Sequence, residues 1–182
     1  GGETKIWYNK KGLLRLSQNS KQEKLKTFTY INYDKQGRII ETGELLNLNT
    51  PFQLNFETEN FRTYSKVGFI VKNYYDTTSY KRISQPQTTN VFLQEHLRGR
   101  VSAISRETTE GVSHSATHYS YDAHGNVKQL LQYQKDIGYK KLEYEYELLS
   151  GKVSEIKYQN GKADEVSFRY FYDTQNRLER TE

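Results

Sequence analysis

The sequence predicts an all-β protein, a run of tandem antiparallel β-hairpins that builds a twisted, curved sheet. Three observations carry that prediction. Aromatic residues alternate with polar ones over short stretches, as at Tyr119 and Tyr121, Tyr144 and Tyr146, and Tyr170 and Tyr172. A period of two puts each pair on one face of a strand. Each stretch then runs into a short turn closed by glycine or asparagine. Finally, the unit recurs: Tyr8 to Tyr33, Tyr121 to Tyr146 and Tyr146 to Tyr172 are 25, 25 and 26 residues apart. Such a fixed period is the signature of a repeat architecture.

The copies follow in order along the chain. "YNKKGLL" from Tyr8 is a weak one, and "YDKQGRI" is complete in Tyr33, Asp34, Gly37 and Arg38. Residues 43–70 interrupt the period, and alternating pieces such as "FQLNF" suggest further strands there, a degenerate hairpin. The next copy is split. "YYD" at 74–76 supplies Tyr75 and Asp76, and "LRGRV" at 97–101 supplies Gly99 and Arg100. Between them, 77–90 reads as a polar loop, and "VFLQEHLRG" at 91–99 as a strand or short turn. No window is convincingly helical. "YDAHGNV" gives Tyr121, Asp122, Gly125 and Asn126. "YELLSGKV" gives Tyr146, Gly151 and Lys152, with one extra residue before the glycine. "YDTQNRL" gives Tyr172, Asp173, Asn176 and Arg177.

The turn itself has a mechanism. Aspartate at its first position bonds the backbone two residues on, and glycine supplies the positive φ that closes the loop. A type I turn followed by a left-handed residue that forms a bulge is a common hairpin connection. Asn176 fits the glycine slot because asparagine tolerates that conformation next best. A basic or amide residue and an aliphatic one then start the return strand.

Composition narrows the function. The chain has 182 residues, 34% hydrophobic and 14% aromatic, with 16 tyrosines. That aromatic content argues against disorder and suits half-exposed sheets. The net charge of +5 comes from 27 basic and 22 acidic residues interleaved along the chain. The densest basic run is "KQEKLK" at 21–26, too little for a nucleic-acid stripe. With no cysteine there is no disulfide, thiol nucleophile or thiolate ligand. The first two glycines read as a cloning or processing remnant, and residues 3–182 as one β-sheet region cut from a longer repeat protein.

Chemistry finds little purchase in this pattern. Were Asp122 catalytic, Asp34 and Asp173 in the same slot of sister hairpins should be catalytic too. One shared turn role explains all three. His124 fills a variable turn position that Gln36 and Gln175 fill elsewhere, unlike a general base. His114 and His118 are four apart. On a strand rising roughly 3.3 Å per residue that spacing is about 13 Å, too far to share one metal ion. No nucleophile elbow, phosphate loop or dinucleotide fingerprint occurs. The residues therefore predict neither enzyme nor cofactor. They leave two roles open: a structural segment glued by tyrosine ladders, or a platform on which Trp7, Tyr119, Tyr144 and Tyr170 bind a surface glycan or a protein.

Taken together, these copies resemble the RHS/YD-repeat family, whose signature is a Tyr-Asp pair, a short gap, then Gly-Arg and an aliphatic residue. "LRGRVSAISRE", "HSATHYSYDAHGNVKQLLQ" and "YELLSGKVSEIKYQNGKAD" are similar to the large YD-repeat proteins of Bacteroidetes-type bacteria. The resemblance implies a spiralling sheet that forms part of a hollow shell, on a secreted or cell-surface protein. Its partners would be neighbouring YD repeats and an enclosed toxin domain. In one respect the chain departs from the pattern. The family's self-cleaving motif needs an Asp-Pro step, whereas Pro51 follows threonine and Pro86 follows glutamine, so the release machinery is not expected here. A repeat sheet with two open edges is also expected to associate edge to edge.

Overall fold

A computed structural model describes residues 2–46, 48, 55–57, 61, 64–79 and 92–182. Over these residues it is all-β apart from one short helix. Among them, twelve strands follow one another in a single antiparallel sheet, in the order of the chain. They are β1 (Thr4–Tyr8), β2 (Leu14–Asn19), β3 (Thr27–Tyr33), β4 (Ile39–Leu46), β5 (Lys66–Tyr75) and β6 (Val101–Thr108), then β7 (Ser113–Tyr121), β8 (Val127–Gln134), β9 (Gly138–Tyr146), β10 (Val153–Tyr158), β11 (Val166–Tyr172) and β12 (Leu178–Thr181). No helix among the described residues is long and apolar enough to cross a membrane. The chain groups into two compact units, residues 1–73 with 105–114, and residues 74–104 with 115–182.

In the first unit a core of Leu16, Phe28, Tyr30, Leu45 and Phe61 gathers on one sheet face, with Trp7, Phe56 and Tyr64 packed around it. Tilted rings at 6.0 Å (Trp7–Phe28) and 5.7 Å (Tyr30–Phe61) are the geometry aromatic quadrupoles prefer. Buried charge is matched at once. Arg15 lies over the Phe61 ring at 5.2 Å and donates to the Ile31 and Phe56 carbonyls. Glu41 accepts from the Tyr30 hydroxyl at 2.8 Å and faces the Lys66 ammonium at 3.5 Å. Glu107 takes Lys72 at 2.5 Å and the Ser105 hydroxyl at 2.8 Å.

Three expectations need revision. No window is expected to be helical, yet Ser20–Leu25 forms the helix α1. Asn19 caps it by accepting from the Lys21 and Gln22 amides, and Gln22 returns a bond to the Asn19 amide. That reciprocal pair is a capping box. The irregular stretch expected over 43–70 is narrower, since 43–46 belong to β4 and 66–70 to β5. Most of "FQLNF" and of the 77–90 loop lies outside the described residues. Phe92 to Leu97 is neither strand nor turn; only the residues after it turn.

That segment covers the second unit's buried face. Phe92 and Leu97 are buried with Ala103, Ala116 and His118. Gln94 anchors the segment by donating to the Ser102 and Tyr119 carbonyls at 2.6 and 3.0 Å. Glu95 closes the contact through the Ser120 hydroxyl and the Tyr121 amide.

Candidate functional site: the Tyr-Asp turns and the groove between two of them

One turn geometry recurs along the chain. The amide of Asp34 donates to the Arg38 carbonyl at 2.9 Å, and that of Gly37 returns to the Asp34 carbonyl at 3.1 Å. The same two bonds close Asp122–Asn126 and Asp173–Arg177, and also Asn9–Leu13 and Glu147–Lys152, where asparagine or glutamate replaces aspartate. Asn176 adopts φ 64° where its sister Gly125 adopts 98°. The split copy is rejoined in space. The Asp76 carboxylate accepts from the Gly99 amide at 2.7 Å, and the Asp76 amide donates to Arg100. A long excursion is therefore spliced into one turn without breaking it.

The aspartate carboxylates are fully employed inside these turns. Asp34 accepts from the Gln36 and Arg38 amides and from the Arg38 guanidinium. Asp122 accepts from the Gly125 and Asn126 amides and the Asn126 side chain. Asp173 accepts from the Gln175 and Arg177 amides and the Arg177 guanidinium. At Asp34 and Asp122 partial burial opposes ionisation, but these donors outweigh it and hold both carboxyls below the ordinary carboxylate range. At Asp173 the Arg177 amide leads the same lowering. A carboxylate held anionic by its own turn is a poor proton carrier at neutral pH.

The tyrosines fasten one hairpin to the next. The hydroxyl of Tyr33 donates to the Leu14 carbonyl at 2.9 Å, and Tyr121, Tyr146 and Tyr172 donate to Val101, Val127 and Val153 at 2.8 Å. Each acceptor lies two residues past the turn glycine of the preceding hairpin. The link is therefore the same clasp four times over. Sequence reasoning had no means of pairing these groups, because donor and acceptor sit on different strands. In two copies a cation adds to the clasp. Arg100 lies over the Tyr121 ring at 5.5 Å and Lys152 over Tyr172 at 4.7 Å.

The four aromatics expected as binding residues have separate fates. Trp7 is half-buried against the first unit's core. The cross-strand register carries Tyr119 to Leu130, Leu142 and the Tyr158 position, so Tyr119, Tyr144 and Tyr170 share one face of the second unit. All three are half-buried. Burial raises the Tyr119 hydroxyl, with Tyr144 adding to it, and raises Tyr144, with Tyr170 adding. Val166 and Phe168 on the same face are exposed.

A groove of about 520 Å³ opens beside two adjacent turns, lined by Asp122, His124, Asn126 and Lys128 on one side and residues 144–151 on the other. His114 packs on Phe69 at 5.0 Å between ring centroids. His118 is buried near Phe92, and burial pushes its imidazole down to about 4. Among the described residues, no group of three metal-ligating side chains comes together.

No protein-family model matches the chain, and no curated protein matches it. Among solved structures it is similar to a chain of the Photorhabdus luminescens Tc holotoxin pore, at 13% identity and a TM-score of 0.46, over 98% of this chain and 9% of that one. It is also similar to chains in TcdB2–TccC3–Cdc42 (11%, 0.30, 97% and 10%) and TcdB2–TccC3–TEV (13%, 0.23, 97% and 11%). The chain spans about a tenth of the length of each solved chain it matches. The fold assignment rests on the twelve strands and their repeated turns.

Proposed function

We propose that this chain is a wall segment of an RHS/YD-type shell, of the kind carried by Bacteroidetes-type bacteria. Its role is non-catalytic, on a secreted or cell-surface protein whose shell encloses a toxin domain. The observation that carries this reading is the fourfold clasp from a Tyr-Asp tyrosine to the preceding hairpin's carbonyl. It joins hairpins in series, and the turns beside it employ the aspartate carboxylates that could otherwise have done chemistry. The partners on this reading are neighbouring YD repeats and the enclosed domain. The test is limited proteolysis of the chain extended by its flanking coding sequence. An enclosed domain resists protease until Tyr121→Ala and Tyr146→Ala together open the wall. Digestion at the same rate with the wall intact would sink the proposal.

A second reading has its own support: the half-exposed row of Tyr119, Tyr144 and Tyr170 suits stacking on a surface glycan. Titration with oligosaccharides, read by tyrosine fluorescence, should then respond in the parent and not in Tyr144→Ser. No response from any oligosaccharide would dispose of it.

A further inference from the structure

We propose that the groove beside Tyr146 receives the arginine side chain of a partner peptide. The reasoning starts from a difference between sister hairpins. The residue after the turn glycine is Arg100 in one copy and Lys152 in another, and each lays its charge over the next hairpin's tyrosine, Tyr121 or Tyr172. At the corresponding junction the residue after Gly125 is Asn126. Its amide is turned to Asp122 at 3.0 Å. Tyr146 makes the same hydroxyl clasp as its sisters, yet the position that holds a cation over Tyr121 and Tyr172 is filled by a short neutral side chain, as Leu13 fills it beside Tyr33.

The groove lies at this junction. Beside Tyr146 it is lined by Asp122, Glu147 and Tyr144, while the Glu145 side chain alternates to the other face of β9, towards Lys157. Asp122 stays ionised and sits close enough to add to the raised Tyr146 hydroxyl, after burial. The basic groups on the wall do not neutralise this set: Lys128 is engaged with Glu95 at 3.2 Å. An aromatic ring rimmed by carboxylates is the arrangement that recognises an organic cation. Arg100 and Lys152 show the same chain using that chemistry internally. A planar guanidinium can stack on the ring while its edge donates to carboxylates.

The rim argues for a peptide over a free cation. Leu148 and Leu149, at the tip of the longer turn, are 95% and 103% exposed. Two adjacent bare leucines beside an acidic aromatic groove match an arginine flanked by apolar residues. At about 520 Å³ the groove is within the range of sites that take a ligand of that size.

The test is an NMR titration of the chain, following the Tyr146 ring resonances. The probes are acetylated, amidated leucyl-arginyl-leucine, the same peptide with citrulline for arginine, and free L-arginine. The arginine peptide is expected to shift Tyr146 saturably, and the neutral citrulline peptide to bind at least about tenfold more weakly. Asn126→Arg should supply the missing cation from within and weaken the arginine peptide by a similar factor, while Asn126→Gln keeps binding. Circular dichroism and thermal melting check that both variants fold. The citrulline arm needs no variant, so the charge requirement is tested even if Asn126→Arg misfolds. No shift with the arginine peptide, or equal binding by its citrulline counterpart, overturns the site. Equal affinity for free arginine overturns the peptide as its occupant.

Discussion

Two single residues show how differently burial acts. His118 is fully buried in the second unit, and its imidazole is pushed down to about 4 by burial, against about 6.5 in an unfolded chain. The folded state thus favours the neutral ring. Its contribution is complete above about pH 6.5 and is lost as pH falls towards 4, because the unfolded chain takes up the proton first; the loss amounts to about 3 kcal/mol. Chemical denaturation between pH 7 and 4 should show stability falling across that window, and His118→Leu should flatten the slope. The turn aspartates are also lowered, but from the more acidic carboxylate range, so they lose their contribution only at more acidic pH and the windows separate. A slope unchanged by His118→Leu would place the titrating group elsewhere. Gly43 illustrates steric burial. It sits in β4 directly opposite Tyr30, and a Cβ there would meet the Tyr30 ring at 2.9 Å. That ring cannot yield, because it is fully buried with its hydroxyl bonded to Glu41. Gly43→Ala should therefore cost about 1–3 kcal/mol through overpacking, measured by urea midpoint. At Gly125 a new Cβ would meet only the mobile end of Arg100, at 2.7 Å. Substitution there acts through the left-handed backbone instead.

At the level of the hairpin, stability should follow the clasp. Removing the hydroxyl leaves the acceptor carbonyl without that partner, a loss of roughly 0.5–1.5 kcal/mol per bond. The cost rises with burial, so Tyr121→Phe, at a nearly buried ring, should destabilise more than Tyr172→Phe, at a half-exposed one. Equal melting temperatures for both variants and the parent would mean the clasp adds nothing. How much of this could be read from sequence depends on distance along the chain. The turns are local, so Asp34 to Arg38 or Asp173 to Arg177 declares its conformation within five residues. The clasp spans 19 or 20 residues and joins a side chain to a backbone carbonyl, and no residue type marks a carbonyl as an acceptor. The helix α1 was hidden for a different reason. Six residues are too few to show a periodicity, and the one available signal was local, Asn19 followed three residues later by Gln22.

Across the whole sheet, the repeat period predicts strand order well, because each hairpin pairs with the one before it. It predicts coverage poorly. Phe92, Gln94 and Leu97 bury one face of the second unit, yet they belong to an excursion that the repeat pattern passes over. The period also implies that the sheet presents edges at β1 and β12. At β12 the backbone shows which groups are open. Arg169 and Glu182 exchange both of their backbone bonds, at 2.9 and 3.0 Å. In an antiparallel ladder such pairs alternate. Arg180, opposite Phe171, therefore also faces β11, and Thr181 turns its amide outward, whereas Glu179 falls at the bulge between Phe171 and Tyr172. All four residues of β12 are exposed. Its shortness and its Glu179 and Arg180 charges are the features that keep natural edges apart, so pairing there should be weak. The weight-average mass in sedimentation equilibrium should rise over a roughly hundredfold increase in concentration. Thr181→Pro removes an outward amide and no bond to β11, so it should suppress that rise while leaving the melting temperature of the dilute protein nearly unchanged. If Thr181→Pro associates as the parent does, the contact between copies uses some surface other than this edge.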